Sequence, residues 1–190
     1  MPRVSLPAML AFSIFLSACP ATASDLTTAV QTRSCTGCDL SEHNLSGKDF
    51  TGMDLSGANL SRSNMMQVNL TGSVLFGAQV EAVNFSQGTA IYTDFSSANL
   101  AKSNLMNTNF NGAQMGGTNL DGSNLIGARL DGVQLIGASL KGAVLNTAVL
   151  DGANLTGADL TGAVIQQVST IGTIFCNTIM PDGQPNTSGC

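Results

Sequence analysis

The sequence has no tryptophan, one tyrosine and one histidine, and only 10% of its 190 residues are charged, against roughly 25% in an ordinary soluble domain. A single histidine leaves little for acid–base catalysis or zinc binding. No paired carboxylates, glycine-rich phosphate loop or clustered metal ligands stand out, so no catalytic, cofactor-binding or metal-ligating residue is expected, and no cofactor. The 7 basic residues are outnumbered by 12 acidic ones, for a net charge of −5, which argues against a nucleic-acid binder. The low charge comes with 43% hydrophobic residues. That balance is wrong for a disordered chain.

The first two dozen residues read as an address. Arg3 forms a short basic start, Leu6 to Ala18 is apolar but too short to span a bilayer, and Ala21-Thr22-Ala23 places small residues before a cut after Ala23. This is the pattern of a secretory signal peptide over residues 1–23. Leu16-Ser17-Ala18-Cys19 also resembles a lipobox, in which Cys19 would carry a lipid. Both readings predict export, to the periplasm or an equivalent lumen in one case and to a membrane-anchored lipoprotein in the other. Neither leaves a membrane span in the mature chain.

What the sequence has in abundance is a period of five. From Leu40 to Ile165, the positions divisible by five hold seventeen leucines, Phe50, Phe85, Phe95, Phe110, Met65, Met115, Val80, Ile165 and Ala90. Only Ala90 is not large and apolar, and there is no insertion. The residue two before each is usually small, the one before is mostly Asn or Asp, and the one two after is mostly Gly, as in Ala153-Asn154-Leu155-Thr156-Gly157. Five matches neither the helical nor the strand period. It requires one large and one small residue per five to point inward, with glycine and Asn/Asp supplying tight corners. Four such corners close a square coil of twenty residues.

The run A-(D/N)-L-x-x resembles the pentapeptide-repeat family over about residues 38–165. The resemblance implies an all-β, right-handed quadrilateral β-helix with four repeats per coil. The expected layout is a signal peptide over 1–23, an N-terminal cap over 24–38, the β-helix over 39–167 and a C-terminal cap over 168–190. Asp25 is placed to cap a short helix over Leu26–Gln31. His43, Lys48 and Met53 depart from the small-residue slot and predict an irregular, partly open first turn. Thr170 interrupts the apolar column and Phe175 resumes it. Stacking at twenty residues puts Asn44, Asn64, Asn84, Asn104 and Asn124 in a ladder. It also pairs Asp121 with Lys141 and sets Asp131 against Asp151.

Twenty-six repeats make a rod about 30 Å long. Cys35 and Cys38 then lie at one end and Cys176 and Cys190 at the other, too far apart to share a zinc ion or a bridge. Cys35–Cys38 and Cys176–Cys190 are the expected disulfides, favoured by export. Cys35-Thr36-Gly37-Cys38 has thioredoxin-type spacing too, but no βαβ context accompanies it.

For function, the repeat and the leader point to a non-enzymatic structural or protein-interaction module of the cell envelope, monomeric or weakly self-associating, with an unidentified protein partner. The outward positions supply the candidate surface: Met66, Met106 and Ile126 in one column, Phe76 and Ile136 in another. Singly scattered exposed apolar residues are also ordinary on soluble proteins. The family resemblance offers an alternative, mimicry of DNA and binding to DNA gyrase, as in its quinolone-resistance branch. The export signal opposes that, and so does charge. A 30 Å duplex carries about 18 phosphates, whereas the chain without Arg3 sets 12 acidic against 6 basic residues.

Overall fold

The computed structural model describes residues 31–190. The expected signal peptide, Cys19 and all of the expected capping helix except Gln31 lie outside the described residues.

From Ser34 onward the chain repeats a five-residue unit of one bridge residue, one large inward residue, a two-residue turn and one small inward residue. Each bridge residue pairs in parallel with the residue twenty positions on, from Ser34↔Asp54 to Asp159↔Ile179. The result is a four-sided solenoid of about seven coils, about 34 Å long. Its ladder runs past the 39–167 span at both ends.

Four backbone bonds explain the unit, one of them from the second turn residue's N–H to the coil above, as from Gly137 to the Thr156 carbonyl at 2.9 Å. The N–H of each inward residue reaches one coil up, as from Leu100 to the Asn119 carbonyl at 2.7 Å, and that of each bridge residue reaches one coil down, as from Asn99 to the Ala78 carbonyl at 3.0 Å. A short turn bond closes the corner, as from Ala98 to the Phe95 carbonyl at 2.9 Å. The second turn residue sits in the left-handed region throughout, with Gly137 at φ 66° and Tyr92 at φ 54° as examples. That conformation costs a side-chain-bearing residue roughly 1–2 kcal/mol, so glycine predominates there.

The inward column from Leu40 to Leu160 is fully buried, and Cys35 extends it downward. Alanines such as Ala98, Ala113 and Ala128 fill the small slot between large residues. Serine and threonine also enter this slot, and most of their hydroxyls find a carbonyl there, Ser63 and Ser123 excepted. Thr93, Ser103, Thr108 and Thr118 donate their hydroxyls to the carbonyls of Leu70, Val80, Phe85 and Phe95, each 23 residues earlier, at 2.6–2.8 Å.

Ala90 has a packing explanation. Phe110 lies one coil above it and makes edge-to-face contacts with Phe85 and Phe95, ring centroids 6.0 and 5.9 Å apart. The Phe85 ring leans over Gly88, where an added Cβ would fall 2.2 Å from it. The three rings occupy the space that a leucine at 90 would need.

The first coil is regular rather than open. Its backbone follows the same unit, and Met53 is fully buried. Only the side chains depart: His43 and Lys48 are exposed because no coil lies below them among the described residues. At the other end Phe175 packs against the core as expected, and Thr170 is exposed. The chain then leaves the coil as a small antiparallel hairpin, β1 (Thr178–Ile179) and β2 (Pro185–Asn186).

Candidate interaction surface

The Asn/Asp before each inward residue builds the outer surface by closing the corner. Its side-chain oxygen accepts the N–H of the residue two on, as Asn99 does from Ala101 at 3.2 Å and Asn154 does from Thr156 at 3.0 Å. At four corners that lack this acceptor, the coil below supplies one. Asn111, Asp121, Asn146 and Asp151 accept the N–H groups of Asp131, Lys141, Gln166 and Ile171, each twenty residues on. These are the places where the usual Asn/Asp is replaced by Arg129, Ser139, Val164 or Ser169.

This corrects the expected Asp121–Lys141 ion pair. Asp121 takes the Lys141 backbone N–H at 2.9 Å and the Ser139 hydroxyl at 2.6 Å. The Lys141 ammonium goes instead to Asp159, at 3.2 Å. The stacked Asp131 and Asp151 also have separate partners: Asp131 pairs with Arg129 at 3.4 Å, and Asp151 accepts the Ser169 hydroxyl at 2.6 Å. Asp39, Asp49, Asp54 and Asp159 each accept a hydroxyl and a backbone N–H from the residue two on, and these bonds hold their carboxyls below the usual carboxylate range. Glu81 is lowered by its hydrogen bond to Lys102 and by that ammonium's charge.

The coil sorts these residues onto four sides. One side carries Glu42, Arg62, Glu81, Lys102, Asp121, Lys141 and Asp159. It holds three of the four ion pairs among the described residues, Arg62–Glu42, Lys102–Glu81 and Lys141–Asp159. Another side, defined by the inward residues 65, 85, 105, 125 and 145, has no Asp, Glu, Lys or Arg from Asn44 to Gln167. It presents the asparagine ladder, in which Asn64, Asn84 and Asn104 each donate to the Asn one coil below at 3.0–3.5 Å. Asn124 joins by its backbone bridge to Asn104. Gln67 donates to Gln87 alongside, at 3.1 Å.

Met66, Met106 and Ile126 lie on this uncharged side. Met66 is 38% exposed, Ser86 separates it from Met106, and Met106 and Ile126 are half-buried. Phe76 and Ile136, 54% and 48% exposed, lie two sides round, on the opposite face. Ser96 and Gly116 intervene, so the two residues are three coils, about 14 Å, apart. The five residues therefore form two strips. Tyr92 is 74% exposed, yet its ring lies over Gly112 one coil on, 2.5 Å from where a Cβ would be.

The cysteines staple the two ends. Cys35 and Cys38 are bridged with Cα atoms 5.3 Å apart, joining an inward position to the following small slot. Cys176 and Cys190 are bridged at 4.6 Å and tie the tail to the last coil. The register that makes Cys35 an inward residue was visible in its number, a multiple of five. Among the described residues there is no group of metal-ligating side chains and no helix long and apolar enough to cross a membrane.

The family model for pentapeptide repeats matches residues 34–72, 91–127 and 128–167, in eight copies. No curated protein matches the chain. Several solved structures are similar. HetL, a pentapeptide-repeat protein involved in heterocyst differentiation regulation from the cyanobacterium Nostoc sp. strain PCC 7120, is 25% identical over 80% of this chain and 87% of its own, with a TM-score of 0.40. A pentapeptide-repeat protein of the Arabidopsis thaliana thylakoid lumen is 38% identical over 50% of this chain and 70% of its own, at 0.28. QnrB1, a plasmid-mediated fluoroquinolone resistance protein, is 17% identical over 80% of this chain and 92% of its own, at 0.29.

Proposed function

From the premise that this chain belongs to the pentapeptide-repeat family, whose members are characteristically non-catalytic structural or regulatory proteins, we propose that it is an exported protein-interaction module of the cell envelope. Its coil is right-handed, as in the family. The observation that carries the reading is the segregation of charge. One side of the rod is laced with ion pairs, while the side bearing Met66, Met106 and Ile126 has no charged group from Asn44 to Gln167. Depletion of charge with enrichment in methionine is the compositional mark of an interface core.

DNA mimicry is the weaker reading. It needs rows of unpaired acids, and Glu42, Glu81 and Asp159 are each paired with a cation.

Two measurements test the proposal. The intact mass of protein from its own host is expected to match a chain starting at Ser24 and four hydrogens short of the reduced form. A diacylglycerol-bearing chain starting at Cys19 would make it a membrane-anchored lipoprotein, and an uncleaved, reduced chain would refute export. Alanine at Met66, Met106 and Ile126 is expected to abolish partner capture from the native envelope; undiminished capture would refute the side-face surface.

A further inference from the structure

The rod ends on half a coil. Phe175, Thr178 and Met180 continue the inward register on two of the four sides, and the chain then turns away into the β1–β2 hairpin. On the other two sides no described residue stacks on Val164 and Ser169, which bridge only downward, to Val144 and Val149. One coil below, the Leu145, Thr147, Leu150 and Gly152 N–H groups reach the carbonyls of Val164, Gln166, Ser169 and Ile171 at 2.8–2.9 Å. The matching N–H groups of Ile165, Gln167, Thr170 and Gly172 have no hydrogen-bond partner among the described residues, nor do the carbonyls of Ala163 and Val168.

Beside this open edge is an apolar cavity of about 340 Å³, lined chiefly by Leu150, Leu160, Ile165, Val168, Phe175 and Met180. Ile165 and Ile171, 39% and 76% exposed, flank it with Val164 and Ile174. The opposite end of the rod is protected differently. His43 and Lys48 stand in its inward slots, the His43 ring covers the Ser41 carbonyl at 2.7 Å, and the Arg33 guanidinium covers that of Thr51. Charge in an edge position opposes end-to-end pairing. A second copy stacked head to tail would also press Lys48 toward the apolar cavity.

We propose that the open half coil binds an extended segment of another protein, which supplies the two missing sides. Its backbone pairs with the 163–172 edge and its bulky aliphatic side chains enter the cavity, a form of strand addition. The register dictates the segment's chemistry: small, then polar, then large aliphatic, then a turn pair ending in glycine, twice over. This site uses none of the side-face residues, so its failure leaves the side-face reading standing.

The probe is a labelled decapeptide copying residues 153–162, with both ends blocked; the register sets its two leucines over Ile165 and Thr170. Fluorescence anisotropy with the full mature protein is expected to saturate below about 1 mM. Amide exchange at Ile165, Gln167, Thr170 and Gly172 is expected to slow. Ile165→Lys is expected to weaken binding at least tenfold, and Gln114→Lys, at an exposed position on the rod's side, to leave it unchanged. A peptide carrying Asn154→Pro and Asp159→Pro lacks the two N–H groups that reach the Ala163 and Val168 carbonyls and is expected to bind at least tenfold more weakly, a control independent of how any protein variant folds. Absent saturation, or equal binding of the proline peptide, overturns the proposal. So does an edge already protected in the free protein with a dimer's mass by light scattering, because the occupant is then a second copy.

Discussion

Ala90→Leu restores the repeat's own preferred residue, yet the structure predicts that it destabilises the protein. Were there room, three added carbons at a buried site would contribute about 2 kcal/mol of stability at roughly 0.8 kcal/mol each. There is no room. Ala90 is fully buried, Phe110 meets Phe85 and Phe95 with centroids at 6.0 and 5.9 Å, and the Phe85 ring fills the slot at Gly88. Overpacking of this kind costs typically 1–3 kcal/mol, so the two expectations differ in sign and by about 3–5 kcal/mol. Urea unfolding followed by far-ultraviolet circular dichroism, with both disulfides intact, measures the difference from the shift in midpoint at constant slope. Phe110→Leu removes the ring above the site and costs stability on its own. Added to Ala90→Leu it is expected to recover stability, with a coupling on the order of 0.5–3 kcal/mol. An Ala90→Leu protein as stable as the parent, or more so, refutes the packing argument.

The buried hydroxyls give a pair of opposite effects. Ser123 is buried with no partner for its Oγ, so Ser123→Ala is expected to gain about 1 kcal/mol, whereas Thr118→Val, which loses the bond to the Phe95 carbonyl, is expected to cost about as much. In the same unfolding assay Asp121→Ala is expected to cost about 1 kcal/mol by stranding the Lys141 N–H, and Ser139→Asn to restore most of it by rebuilding the acceptor within the coil. Acid is expected to weaken the corners formed by Asp39, Asp49, Asp54 and Asp159. Their folded pKa values are depressed, so their stabilisation is full above the unfolded carboxylate value and is lost as pH falls through the folded ones. Carboxyl chemical shifts titrated by nuclear magnetic resonance check this directly; unshifted midpoints at these four residues refute it. Replacing Cys176 and Cys190 by serine opens a loop of separation 14 and is expected to cost about 3 kcal/mol, read as a lower thermal midpoint with amide exchange fastest in the tail.

Much of this was legible in residue numbers. The period of five, the inward leucines, the glycine corners and the twenty-residue stacking each follow from what a single pentapeptide can do locally, repeated without insertion. The end pairing of cysteines follows from the same arithmetic. The candidate surface was legible only as columns: sequence spacing placed Met66 over Met106 and Phe76 in line with Ile136. It did not show that one side of the rod is free of charge while another collects three ion pairs.

The sequence by itself determined the repeat, its register and which residues turn inward, because those are properties of five consecutive residues and of a strict period. Tertiary structure alone decided who pairs with whom between coils. Lys141 prefers the carboxylate 18 residues on to the one 20 back, a threonine hydroxyl finds a carbonyl 23 residues away, and Asp121 replaces a missing acceptor in the coil above. It also decided that Ala90 is correct where the repeat asks for leucine, and that the last coil stops half built. These outcomes depend on side-chain volume and direction between stacked turns. A period of five fixes the position of each turn and leaves those contacts to the packing.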